Sequence, residues 1–356
     1  MATFTTKLTE LGTAVGLVYD PGAPWPDSIE SLHVPGINDD IWKPVVVPVT
    51  ATAHPRRELL LRSLANGHAF RATVLGGRRP THVEWTGAGR STWTSDIPRD
   101  LTVDRVYFVQ AKYDSTCVLN TSPATMVDHL LLDDGAGSRQ SWYESVALDA
   151  LQEYYRRVRH HAATDTLDAP ASPTDRTVAD DLPADVRDLE THHRATLKAL
   201  MRQHPVAAAE AEAYRELCRT VSLETEWRWT HRLRAATAGQ RTQMLFRMLR
   251  VAGGPYWLLG TKGSHPVQLA VTDTRTWRER YALKRFTVSA AHAGQPQVDW
   301  RAVVVERADG TARTIEGYCE IRWSHGKLQG NPECKVQVVT PLADLPGYHP
   351  MVAPGP

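Results

Sequence analysis

Apolar and polar positions recur along this chain with a period that changes several times. Residues 1–50 mix a possible short helix with the turn-rich stretches PGAPWPDS and VPGINDD. In HPRRELLLRSLANGHAFRATVLGG the leucines and Phe70 return at helical spacing, which predicts a helix that Gly67 interrupts and that Gly76 and Gly77 stop. THVEWTG and DRVYFVQAKY are short, apolar and rich in β-branched or aromatic residues, so both read as strands, joined by the Gly-, Ser- and Thr-rich GAGRSTWTSDIPRD. Residues 123–161 read as helical, most clearly in SVALDALQEYYRRVRHH. Residues 162–183 are poor in apolar side chains and hold three prolines, the composition of a linker or mobile loop. Residues 184–252 are mostly helical with a break near Pro205. From Tyr256 to Val339 the pattern shortens to YWLLG, VQLAV, ALKRFTVSA, WRAVVVE, YCEIRWS and CKVQVV, strands separated by Gly, Pro and Asp-Gly turns.

These periods predict an α+β chain in four stretches: an α/β unit over 1–161, a linker over 162–183, a helical segment over 184–255 and a β-rich domain over 256–356. The length of 356 residues accommodates that division, and 42% hydrophobic with 23% charged residues is the composition of a globular protein. A net charge of +1 supplies no global field towards DNA or an anionic membrane, so any nucleic-acid contact has to come from local patches. The first twenty residues lack a basic stretch followed by an apolar one, and no run approaches the roughly 18 apolar residues of a membrane span. Cys117, Cys218, Cys319 and Cys334 form no CxxC pair, which argues against a zinc site and a disulfide framework. A reduced, cytoplasmic protein without a membrane partner is expected.

Candidate chemistry enters at the end of the strand VYFVQAKY. Side chains alternate faces on a strand, so Val106, Phe108, Gln110 and Lys112 share one face. An apolar strand with a polar end delivers those polar groups to the edge of a sheet, where α/β sites commonly sit. A second strand beginning at Ile97 and running alongside would bring Asp96 near Gln110. Asp104, six residues earlier on the same strand, would be roughly 20 Å away. The Asp96 carboxylate and the Gln110 amide oxygen are hard donors suited to a magnesium ion. Lys112 could orient or deprotonate an attacking water, or stabilise the charge of a phosphorane.

TGAGRSTWTSDI followed by YFVQAKYD resembles the PD-(D/E)xK nuclease superfamily, whose members carry an Asp at a strand start and an (E/Q)xK triplet on the next strand. The resemblance covers residues 54–130, about a fifth of the chain. It implies a restriction-endonuclease-like core, a mixed sheet with flanking helices, that uses Mg2+ or Mn2+ to hydrolyse DNA in a restriction or phage-defence system. It further implies a carboxylate from the preceding helix, a position that Glu58 matches, with Glu84 of VEWTG as the rival. The chain departs from the commoner pattern at Gln110, where Glu is usual, and at Ser95, where Pro is usual before the Asp. Gln110 removes one negative charge from the metal site. The alternative is a non-catalytic subunit that keeps the fold and holds nucleic acid or a partner protein. Companion defence proteins and a homodimer are both left open.

Other polar groups accompany this motif. Arg78 and Arg79 in GGRRP, Arg90 in GAGRST, and Lys262, His325 and Lys327 in the β-rich part are candidate phosphate contacts, or else solvated turn residues. GAGRST lacks the GK[ST] ending of a phosphate loop. A second Glu-x-Lys, Glu333 and Lys335 with Glu320 upstream, reads as a hairpin around SHGKLQGNP with its charges on the solvated face. The pairs His160–His161 and His192–His193 sit on helices, where neighbours point about 100° apart and cannot chelate alone. RWTHRLR, with Trp227 and Trp229, offers either base stacking or a partly buried helix face.

Overall fold

In the computed structural model, which describes residues 3–23, 25, 27–87, 97–132, 141–165, 181–203, 208–292 and 294–351, the chain opens with helices that touch at glycines. Helix α1 (Phe4–Val18) is capped by Thr3, whose hydroxyl accepts from the Thr6 N–H, and every residue from Leu8 to Val18 is buried. Helix α2 (Asp39–Val46) follows an Asn38 cap and places Trp42 and Val46 in the same core. Helix α3 (Arg57–Val74) fulfils the expectation from the leucine spacing. Gly67 does not interrupt it. A Cβ there would lie 2.2 Å from the Thr13 carbonyl oxygen, and one on Gly16 would lie 2.3 Å from that of Leu64. The two glycines let α1 and α3 cross backbone to backbone. Gly76 and Gly77, both at positive φ, then end the helical region.

Three strands form an antiparallel meander: β1 (Val83–Trp85), β2 (Leu101–Val103) and β3 (Tyr107–Tyr113). The expected strand from Ile97 therefore shrinks to three residues. Val106, read as part of a buried run, precedes β3 and is 64% exposed. β4 (Cys117–Thr121) turns away into a second sheet. Helices α4 (Trp142–Asp165), α5 (Thr191–Gln203), α6 (Ala208–Ala235) and α7 (Ala238–Met248) follow. The chain then returns as β5 (Tyr256–Lys262), parallel to β3, and β6 (His265–Val271). After the short α8 (Thr274–Arg280) come β7 (Tyr281–His292), β8 (Pro296–Glu306), β9 (Ala312–Arg322), β10 (Glu333–Val338) and β11 (Tyr348–Pro350).

The architecture is α+β. The first sheet is mixed, in the order β1-β2-β3-β5-β6-β11; the second is antiparallel, in the order β4-β10-β9-β8-β7. This topology corrects the four-stretch division. β5, β6 and β11 come from the stretch read as a separate β-rich domain, yet they complete the sheet begun by β1–β3. β4 comes from the first stretch and is an edge strand of the second sheet. The expected linker does not begin at residue 162, since α4 runs to Asp165. At its other end Leu182 is buried, and the Tyr155 hydroxyl donates to the Pro183 carbonyl.

Two apolar cores lie on the two faces of the first sheet. Leu101, Val103, Val109 and Leu259 face α1, α2 and α3. Tyr256, Leu258, Leu269 and Val271 face a larger core shared with α4, α6, α7 and the inner side of the second sheet. Within it α6 is the spine. Its Trp229 is fully buried and meets Phe286, which stacks on Trp300.

Candidate functional site

The end of β3 is where the polar groups collect, and strand alternation sets which way each points. Tyr107 and Val109 face the helical core, so Phe108, Gln110 and Lys112 face the other side. Pairing extends that face across neighbouring strands: Phe108 opposes Thr102, and Thr102 opposes Glu84. In the parallel direction Gln110 opposes Leu258 and Lys112 opposes Gly260. No side chain fits at 260, because a Cβ there would come 1.6 Å from the Lys112 carbonyl oxygen. The site thus lies at the carboxyl end of the parallel pair β3–β5, with two strand backbones in close contact beneath it.

Asp100 is the residue that sequence reasoning missed. It precedes β2, is 2% exposed, and its backbone N–H donates to the Val109 carbonyl at 2.8 Å. Its carboxylate accepts from the Ala111 N–H at 2.7 Å. Its carbonyl accepts from Thr86 N–H at 3.0 Å. A carboxylate is therefore clamped to the peptide between Gln110 and Lys112. The register of β2 on β3, set by a three-residue turn at 104–106, is what leaves Asp100 beside Gln110. Arg99 adds a cation, its guanidinium 5.6 Å from the Phe108 ring centre.

The charge of Lys112 also reaches the second sheet. Burial raises the Cys117 thiol above its ordinary value, and the Lys112 and Lys335 ammonium groups oppose that shift. Both cations therefore act on one thiol, although they belong to different sheets. Lys335 and Glu333 do lie in the expected hairpin, β9 with β10. Burial pushes the Glu333 carboxyl up. Hydrogen bonds from Ser324 and Asn120 and the charges of Lys335 and His325 outweigh it and leave the carboxyl below its usual range.

The other sequence candidates divide sharply. Asp96 and Arg90 lie outside the described residues. Glu84 is exposed on the same face as Gln110. Glu58 is not brought to the site: it sits on α3, across the sheet from Lys112, and bonds Arg62 at 3.1 Å. Arg78 is committed to Asp104 at 2.6 Å, beside the β2–β3 turn and at the opposite end of the sheet from Lys112. Arg79 is exposed near it. Lys262 is exposed two residues beyond Gly260 on β5, and so on the Lys112 face. His325 is exposed near Glu333. Lys327 turns inward, its Nζ 3.8 Å from the Tyr214 ring centre and 5.6 Å from that of Tyr154. Burial there lowers its pKa, opposed by Glu210 and the Cys218 thiol.

A hard divalent cation is implied by the resemblance, and the donors at the end of β3 fit one in kind. The Asp100 carboxylate and Gln110 amide are oxygen donors, and magnesium commonly takes one or two carboxylates and fills the remainder with water and phosphate. Among the described residues no group of three His, Cys, Asp or Glu is gathered that could hold a metal. No helix among them is long and apolar enough to cross a membrane. No protein-family model, curated protein or solved structure matches the chain.

Proposed function

We propose that this chain is a Mg2+-dependent DNA endonuclease with a restriction-endonuclease-like core, of the kind used in restriction or phage defence. The observation that carries the reading is the Asp100 carboxylate held on the Ala111 N–H, between Gln110 and Lys112. The mixed sheet with helices packed on it agrees with the core that the resemblance implies. Asp100 takes the part first assigned to Asp96, with the Gln110 amide oxygen as its companion ligand and Glu84 at the rim. The metal would polarise a phosphodiester and lower the pKa of its water. Lys112 orients that water or stabilises the developing phosphorane charge. Arg99 and Lys335 hold flanking phosphates as fixed cations.

The test uses plasmid DNA with Mg2+, with Mn2+ and with neither. Asp100→Asn keeps an oxygen for the Ala111 N–H while removing the charge, so the fold should survive and cleavage should fall by about 100-fold or more. Lys112→Ala should act similarly. Cleavage by Asp100→Asn at the wild-type rate would overturn the assignment. The second reading, a nucleic-acid-binding subunit without catalysis, is favoured by the lack of a three-carboxylate group among the described residues. It predicts no metal-dependent cutting by the wild type and DNA binding that Lys112→Ala weakens.

A further inference from the structure

Between Trp227 and Arg250 the chain carries six arginines, one histidine and neither Asp nor Glu. This is a strongly basic stretch in a protein of net charge +1. It covers the last two turns of α6 and all of α7. Most aromatic rings in the helical part are buried, Trp229 completely. Trp227 is the exception at 65% exposed, with Leu223 beside it at 41%. The Trp227 ring is not loose: it lies against the His231 ring, centroids 5.9 Å apart and planes 18° from parallel. At about 100° per residue, Leu223, Trp227, His231 and Arg234 fall within one narrow stripe of α6. Arg228 and Arg232 flank the stripe, and both bond the buried Asp128 carboxylate. Asp128, with Glu224 and Glu226 on the turn before the ring, balances Arg228 and Arg232, so the positive charge of this face lies beyond the ring, at Arg234 and along α7.

A flat aromatic held parallel to a second ring, on a helix end with fixed cations, has the chemistry of a base-stacking platform. A purely apolar partner would find charged side chains along the rim, Glu224 on one side and Arg234 on the other. We infer that the C-terminal half of α6 binds the unpaired bases of a nucleic-acid strand. Trp227 takes a base on its open face, while Arg234, exposed one to two turns further on, meets a phosphate. The inference rests on the nucleic-acid reading above and specifies its substrate: a single-stranded or locally opened strand. It does not need the metal chemistry.

The experiment measures binding of the full chain to a fluorescent oligothymidine of about 15 residues by anisotropy, in EDTA and over a salt series. Trp227→Ala should weaken binding about tenfold, because one stacked base is lost, with an unchanged melting temperature. Arg234→Ala should weaken it and make the slope of log K against log salt shallower by about 0.7, the single-strand value for one phosphate contact. A blunt duplex of equal length should be insensitive to Trp227→Ala. Wild-type affinity in Trp227→Ala, or no binding of the oligothymidine by the wild type, overturns the platform even where plasmid is cut. If Trp227→Ala instead dissolves a dimer in sedimentation, the face belongs to a second copy and the platform is again overturned. Intact oligothymidine binding by Asp100→Asn that has lost cleavage leaves the platform standing and separates it from the chemistry.

Discussion

A carboxylate that accepts from the backbone of the neighbouring strand is positioned before any ligand arrives, since neither the peptide nor the carboxylate has freedom left to lose. Asp100 is in that state. Glu58 is not: its side chain is 68% exposed and pairs with Arg62 four residues on, on the helix that packs against the sheet face opposite Gln110. Exposed pairs of this kind contribute roughly 0–1 kcal/mol. Glu58→Gln should therefore leave both the melting temperature and the Mg2+ concentration for half-maximal cleavage unchanged, whereas Glu84→Gln should raise that concentration. A metal titration of plasmid cleavage checks both, and a shift in Glu58→Gln alone would return the third ligand to α3. Gln110 and Lys112 were legible because strand alternation is a local rule. Asp100 was not, because a three-residue strand gives no period to read and the acid sits outside it. Lys327 was misread for the opposite reason. Its loop looks solvated, but the tyrosines that receive it come from α4 and α6, more than a hundred residues away.

At the level of elements, two contacts decide geometry and each makes a sign prediction. In the β2–β3 turn Asp104 and Arg105 both take positive φ, and the Asp104 carboxylate accepts from Arg78, from the Thr81 N–H and hydroxyl, and from the His82 N–H. Burial pushes that carboxyl up, yet these donors outweigh it and hold it below the usual carboxylate range. A folded value below the unfolded one means the stabilisation is fully present above the unfolded pKa and is lost as pH falls through the folded value. Asp104→Asn should destabilise by about 1.5–3 kcal/mol at neutral pH, the range for hydrogen bonds to a charged group. The gap in melting temperature from the wild type should close as the buffer is taken down through the carboxylate range. A gap that persists in acid would mean the charge is irrelevant. The α1–α3 crossing makes the second test. Helix propensity alone would have Gly67→Ala stabilise by about 1 kcal/mol. The 2.2 Å approach to the Thr13 carbonyl forces the helices apart, and overpacking of that kind typically costs about 1–3 kcal/mol or more. Packing should win, so chemical denaturation of Gly67→Ala should show a net loss. The helix was legible from its leucines. The reason for its glycine was not, since the partner is another helix some fifty residues earlier.

For the whole molecule, the strands of the C-terminal part were readable one by one, and their partners were not. A local pattern reports burial and period; it carries no record of pairing between residues 109–113 and 257–261, a separation close to the length of an ordinary domain. That pairing has a direct consequence for cutting the chain. Ending it at residue 180 removes β5 from the side of β3, leaves β3 as an open edge, and strips Leu259 from the core of α1 and α3. It also removes β10, the strand to which β4 is bonded, and α6, which carries much of the packing against α4. An exposed edge beside an unfilled core is an aggregation hazard as well as a loss of stability. Residues 1–180 should therefore fail to give a soluble, cooperatively melting species, and residues 181–356 should fail likewise. Produced together, the two pieces should associate, because the strand pairings between them can still form. The full chain should melt in one calorimetric transition, since the mixed sheet and the second sheet share a continuous core through Tyr256, Leu258 and Trp300. A first piece that melts cooperatively on its own, or two well-separated transitions in the full chain, would show that the interleaving of strands is not what holds the halves together.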